Sequence, residues 1–166
     1  MTDIKKTPRY QQMVANLKDR PHYVLEAALL KELTNGRQWR IDAVVEAINT
    51  DLYRWNYINR VRVFETAAMY GRLAAIKLLG ENKYFDHEKK RKEAIKYPGM
   101  GMGTEVLAAF DTAVMHGHYR VADYFKELGA SHVYLIDSRP PRAMLWAVKE
   151  GNEQKMDYLI RAEEDP

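Results

Sequence analysis

No cysteine occurs in the 166 residues. That absence excludes a disulfide scaffold, thiolate zinc sites and a cysteine nucleophile. Serine is nearly missing too. Ser131 and Ser138 are the only two, and neither stands in a Gly-x-Ser-x-Gly context, so a serine nucleophile has no support. Nor does one sign of charge dominate: 26 Lys+Arg against 23 Asp+Glu leave +3, which excludes a histone-like protein and an acidic disordered tail. No apolar run nears the ~18–20 residues of a membrane span. Val133-Tyr134-Leu135-Ile136 is a typical length. After Lys5-Lys6 the chain stays polar through Gln11-Gln12, and position 2 is Thr, so neither a secretory signal nor a lipid anchor is expected. These absences lead us to expect a soluble cytoplasmic protein without a membrane partner.

What is present is helical periodicity. Thr7-Pro8 reads as an N-cap followed by proline at the first helical position, where its missing N–H costs nothing. Tyr10, Met13, Val14 and Leu17 then recur at helical spacing until Arg20-Pro21 stops the run. Further helices are predicted over about 22–33 and 38–48, the second burying Ile41, Val44, Val45 and Ile48. Helices this short are marginal alone in water and must stack. Between 50 and 63 the pattern changes: Tyr53, Trp55 and Tyr57 alternate with Arg54, Asn56 and Ile58, which predicts an extended hairpin. A polar stretch over 81–103 reads as an insertion, with a charged helix at about 86–96 and a glycine loop at 98–103.

Self-comparison yields the most specific signal. Ala67-Ala68-Met69-Tyr70-Gly71, Ala113-Val114-Met115-His116-Gly117 and Ala147-Val148-Lys149-Glu150-Gly151 share a small-apolar pair, two variable residues and a glycine. Apolar residues follow seven and eight positions after each glycine: Leu78-Leu79, Tyr124-Phe125 and Tyr158-Leu159. Gly117 and Gly151 are 34 residues apart, and Gly71 and Gly117 are 46 apart, the excess falling in the insertion. Each segment predicts a helix, a left-handed glycine turn and a returning helix, a unit that can bury its faces only by stacking on its neighbours.

This pattern resembles the ankyrin repeat family, most closely over 111–130, where Gly117-His118, Val121 and Gly129-Ala130 fall in register. The family's Thr-Pro-Leu-His tetrad is replaced in every segment, by Arg62-Val63-Phe64-Glu65, Ala108-Ala109-Phe110-Asp111 and Arg142-Ala143-Met144-Leu145. The expected architecture is all-α: a divergent ankyrin-like helix-turn-helix solenoid with an N-terminal helical cap (1–22) and a long insertion between repeats. A degenerate repeat and aromatic hairpin (23–62) would follow the cap, with Ala27-Ala28 as its small pair. A repeat (63–80), the insertion (81–103), a repeat (104–130) and a C-terminal repeat (131–161) complete the single domain.

The resemblance implies a non-enzymatic module, an adaptor or inhibitor, that meets a protein partner through the concave face and hairpin tips. The variable pair before each glycine would line that face: Met69 and Tyr70, Met115 and His116, Lys149 and Glu150, with Arg139 near a hairpin tip. Tyr53 and Trp55 are added as aromatic anchors of the kind that dominate protein interfaces. As an alternative, the basic 83–96 insertion, with its Lys89-Lys90-Arg91-Lys92 run, and the aromatic segment 53–57 would suit a nucleic acid. Asp86, Glu88 and Glu93 flank that run and partly cancel it. His116 and His118 form a His-x-His pair, but no cluster nearby completes a metal site, so neither metal nor cofactor is expected.

Overall fold

The computed structural model describes residues 3–82, 84–96, 104–128 and 142–164. Among them the chain is all-helical, with no strand. Helix α1 spans Pro8–Leu17, where the Thr7 side chain accepts the Tyr10 N–H as the sequence predicts. Four helix pairs follow: α2 (His22–Asn35) with α3 (Gln38–Asn49), α4 (Arg60–Met69) with α5 (Leu73–Gly80), α7 (Thr104–Met115) with α8 (Tyr119–Glu127), and α9 (Arg142–Glu150) with α10 (Glu153–Glu164). Helix α6 (His87–Lys96) stands between the second and third pairs, in the predicted insertion. The glycine loop at 98–103, Gly129-Ala130 and Arg139 lie outside the described residues.

One glycine with positive φ closes the first helix of each pair: Gly36 (75°), Gly71 (66°), Gly117 (72°) and Gly151 (64°). At the last three the turn is the same. The residue after glycine donates its N–H back to Ala67, Ala113 or Ala147 at 2.8–2.9 Å, while the glycine N–H reaches the next carbonyl, of Ala68, Val114 or Val148. These two bonds make a Schellman motif, which satisfies carbonyls that a helix end otherwise leaves open. The repeated sequence pattern therefore acquires a physical meaning: the small pair supplies the acceptors and glycine supplies the left-handed backbone. Gly36 closes α2 more simply, with one bond to the Glu32 carbonyl at 2.8 Å. The pair at the matching distance from Gly36 is Glu32-Leu33, so the expected Ala27-Ala28 pair is out of register with the turn.

The pairs pack in chain order. The first helices α2, α4, α7 and α9 contact one another in series, α3 contacts α5 in the second layer, and α1 packs on α3. The residue eight positions after each turn glycine lies in the core: Val44, Leu79, Phe125 and Leu159. Ala67 and Ala68 on α4 and Ala109 and Ala113 on α7, two helices that pack on each other, are all fully buried. Small side chains let these two backbones approach closely, and burying each large residue beside them contributes roughly 1.5–3 kcal/mol.

The expected hairpin over 50–63 is absent. Leu52–Tyr57 is a 3-10 helix instead, started by the Asp51 side chain accepting the Tyr53 N–H at 3.1 Å. With three residues per turn, Trp55 and Ile58 share one face and are buried, while Tyr53 and Tyr57 point to solvent. The insertion is also tied into the core rather than appended to it. Phe85 is fully buried and packs edge-to-face on Trp55 and on Phe64, ring centroids 5.1 Å apart in each case.

Candidate protein-binding surface

Each expected site residue among the described ones has a place that its local structure dictates. Met69 and Tyr70 end α4, just before the glycine turn, where the helix can no longer bury them; they are 39% and 41% exposed. The Arg72 guanidinium lies 5.9 Å from the Tyr70 ring centroid, over its face. Met115, at the same position on α7, is half-buried and packs against the core, whereas His116 is exposed and donates Nδ1–H to the Thr112 carbonyl at 2.9 Å. Lys149 and Glu150 are exposed on α9. Lys149 Nζ sits 5.9 Å from the Trp146 ring centroid, and Glu150 accepts from Lys155 Nζ at 2.9 Å.

The aromatic segment divides. Tyr53 is 77% exposed and available to a partner. Trp55 is 1% exposed, donates Nε1–H to Asn49 at 2.9 Å and packs on Phe85, so its inclusion among partner-binding residues is corrected. A buried indole with its donor satisfied is a core residue.

Sequence reasoning missed the larger exposed apolar residues. Leu145 and Val148 lie on the side of α9 away from its buried stripe, Ala143 and Ala147, and the exposed Trp146 borders that stripe. The signal was visible: the small residues recur at i and i+4, and bulky ones stand opposite and beside them. Tyr23 on α2 is 66% exposed, and Tyr57 stacks on His22 with centroids 5.2 Å apart. Among the described residues, the exposed large apolar side chains of the four helix pairs are Tyr23, Met69, Tyr70, Leu145, Trp146 and Val148 on or ending first helices, and Ile160 alone on a second helix.

The basic run on α6 is partly neutralised. Lys90 Nζ lies 3.6 Å from Glu105, and Lys92 Nζ lies 3.6 Å from Glu88 one turn earlier. Lys89 is exposed, and the Arg91 side chain lies outside those described. Glu105, the second residue of α7, is buried with Arg60 Nε at 3.7 Å and His87 Nε2 at 3.6 Å. Burial pushes its carboxyl up. The His87 ring, its own backbone N–H and the Lys90 charge outweigh that and hold it at about 2. This cluster fastens α6 to α4 and α7.

His116 and His118 do not converge. His118 turns away and donates Nε2–H to the Met69 carbonyl at 2.9 Å. Among the described residues, no three His, Asp or Glu side chains group as a metal would require. No described helix is long and apolar enough to cross a membrane. Compared with known proteins, the chain matches no family model, no curated protein and no solved structure.

Proposed function

We propose that the chain is a divergent ankyrin-like repeat protein that binds a protein partner through its first-helix layer and acts as a non-enzymatic adaptor or inhibitor. One observation carries this reading: apolar side chains that a folded domain would normally bury gather on the first helices and scarcely occur on the second. Large apolar side chains left exposed on one helix layer mark an interaction face. Tyr and Trp, which Tyr70 and Trp146 contribute here, are the residues enriched in interface hot spots. The four glycine-closed helix pairs packed in series support the repeat reading, because a stack buries its interior and leaves one helix layer for recognition. Nothing favours the nucleic-acid alternative over it, since the Lys90 and Lys92 ammoniums face carboxylates.

The test is affinity capture from the native host with nuclease treatment, comparing the natural chain with a Tyr70→Ser/Leu145→Ser/Trp146→Ser variant. A protein retained by the first and lost by the second, at unchanged thermal stability, supports the proposal. Equal capture by both, or material released by nuclease, overturns it.

A further inference from the structure

A second surface lies on the other helix layer. The N-terminal ends of α5 and α8 bound a groove of about 610 Å³, within the size range of ligand pockets. Leu73, Ala74, Tyr119 and Val121 give it an apolar floor, and Lys77 and Arg120 stand on its rim. No Asp or Glu lines it. Lys77 rests over the Tyr124 ring at 5.6 Å, and both cations are exposed and in no salt bridge among the described residues. His118 forms one wall, its ring held by the Met69 carbonyl.

The neighbouring groove has the opposite sign. Between α8 and α10, Asp123, Glu153 and Asp157 line about 520 Å³ against Arg161 alone, and Tyr119 borders both grooves. A polyanionic backbone entering at Lys77 and Arg120 and continuing along this face meets three carboxylates. A short acidic segment stops before them. The apolar floor likewise suits side chains better than phosphates, whose partners are mainly charged and polar.

We infer that the groove between α5 and α8 takes an acidic peptide segment, its carboxylates on Lys77 and Arg120 and its apolar side chains on Leu73, Ala74 and Tyr119. Charge complementarity selects the occupant and orients it. The inference does not depend on the first-helix surface, because none of the exposed apolar residues named for that surface lines this groove.

The full chain, labelled with 15N, is titrated with a synthetic peptide of alternating Glu and Leu, with its Lys/Leu counterpart and with oligothymidylate. Saturable shifts of the Leu73, Ala74, Arg120 and Val121 amides are expected with the Glu/Leu peptide alone, with an affinity that falls as salt rises. Lys77→Glu/Arg120→Glu is expected to weaken that binding at least about tenfold. The milder Lys77→Gln/Arg120→Gln pair gives the same direction if charge reversal perturbs folding. The Tyr70→Ser/Leu145→Ser/Trp146→Ser variant retains full affinity for the peptide. Absence of saturable shifts at these amides overturns the inference. So does equal binding of the Lys/Leu peptide or oligothymidylate, or undiminished affinity in a folded charge variant.

Discussion

The Arg72 guanidinium fills the space in which a side chain at Gly36 would stand. It is held there by donating Nε–H to the Leu33 carbonyl at 2.9 Å and Nη2–H to the Thr34 carbonyl at 2.8 Å. The residue after one turn glycine thus caps the helix that the preceding glycine closes. His118 repeats the arrangement one unit later: it binds the Met69 carbonyl, and a Cβ at Gly71 would meet its Nδ1 at 2.8 Å.

The four glycines should therefore differ in tolerance. Among the described residues Gly117→Ala and Gly151→Ala meet no neighbour within 4 Å, so they suffer only the left-handed backbone cost, about 1–2 kcal/mol. Gly36→Ala and Gly71→Ala must also displace Arg72 or His118, adding roughly 1 kcal/mol for each hydrogen bond lost. Urea denaturation of the four variants checks the ranking; equal losses at all four would sink it.

Arg72→Ala should destabilise by about 1.5–3 kcal/mol, since charged donors leave two helix-end carbonyls. Arg72→Lys should recover only part, because an ammonium does not reproduce the guanidinium fork. Faster amide exchange near the α2–α3 turn, with α8 unaffected, locates the effect at that joint.

Glu105→Gln should loosen α6 from α4 and α7. The carboxyl is held at about 2, below its ordinary range. Its stabilisation is therefore complete above the ordinary carboxyl range and is lost as pH falls from there through about 2. Stability curves of the natural chain and the variant should differ by on the order of 2–3 kcal/mol at neutral pH and converge in acid. A gap that stays constant with pH would assign the loss to packing instead.

Three tyrosines should ionise late. Burial first, and then donation to Glu46 at 2.6 Å, raises Tyr10; burial and donation to Asp123 at 2.8 Å raise Tyr158. Burial, with Glu81, Glu88 and Glu127 nearby, raises Tyr124. Folding favours the protonated phenol in each, so this stability is whole below the ordinary phenol range and declines as pH rises beyond it. An ultraviolet titration of the eleven tyrosines should show a late group that merges with the rest in denaturant.

Phe85→Ala should cost about 3–5 kcal/mol, the usual penalty for emptying a buried aromatic site, whereas Tyr53→Ala should change stability by about 0.5 kcal/mol or less. Thermal unfolding of both variants separates the core half of the aromatic cluster from its solvent half.

The helix pairs were legible because a left-handed turn favours glycine at one position, and a small-apolar pair precedes three of the four turn glycines within five residues. The apolar position eight residues on was legible for the same reason. Trp55 was not. The six-residue 3-10 turn buries Trp55 alone, and so short a stretch can equally be read as alternation. Glu105 was hidden differently: its partners Arg60, His87 and Lys90 come from two other helices, and a glutamate in a first helical turn is ordinary. The Leu145, Trp146 and Val148 face could have been read from α9, had the buried stripe of small residues been taken as the reference.

At the third joint the pattern breaks. The residue after Gly151 is Asn152, and its side chain accepts the Lys155 N–H at 3.1 Å, capping its own helix instead of reaching back to α7. Helices α5 and α8 have no side-chain cap, because Arg72 and His118 at the same position serve the neighbouring unit. One residue per unit thus chooses between finishing its own helix and fastening the stack. Two joints are fastened at the turn and the third between its second helices, where Tyr158 of α10 donates to Asp123 of α8 at 2.8 Å, which gives the array a direction: mechanical pulling should open the turn of the α9–α10 pair before those of the units ahead of it.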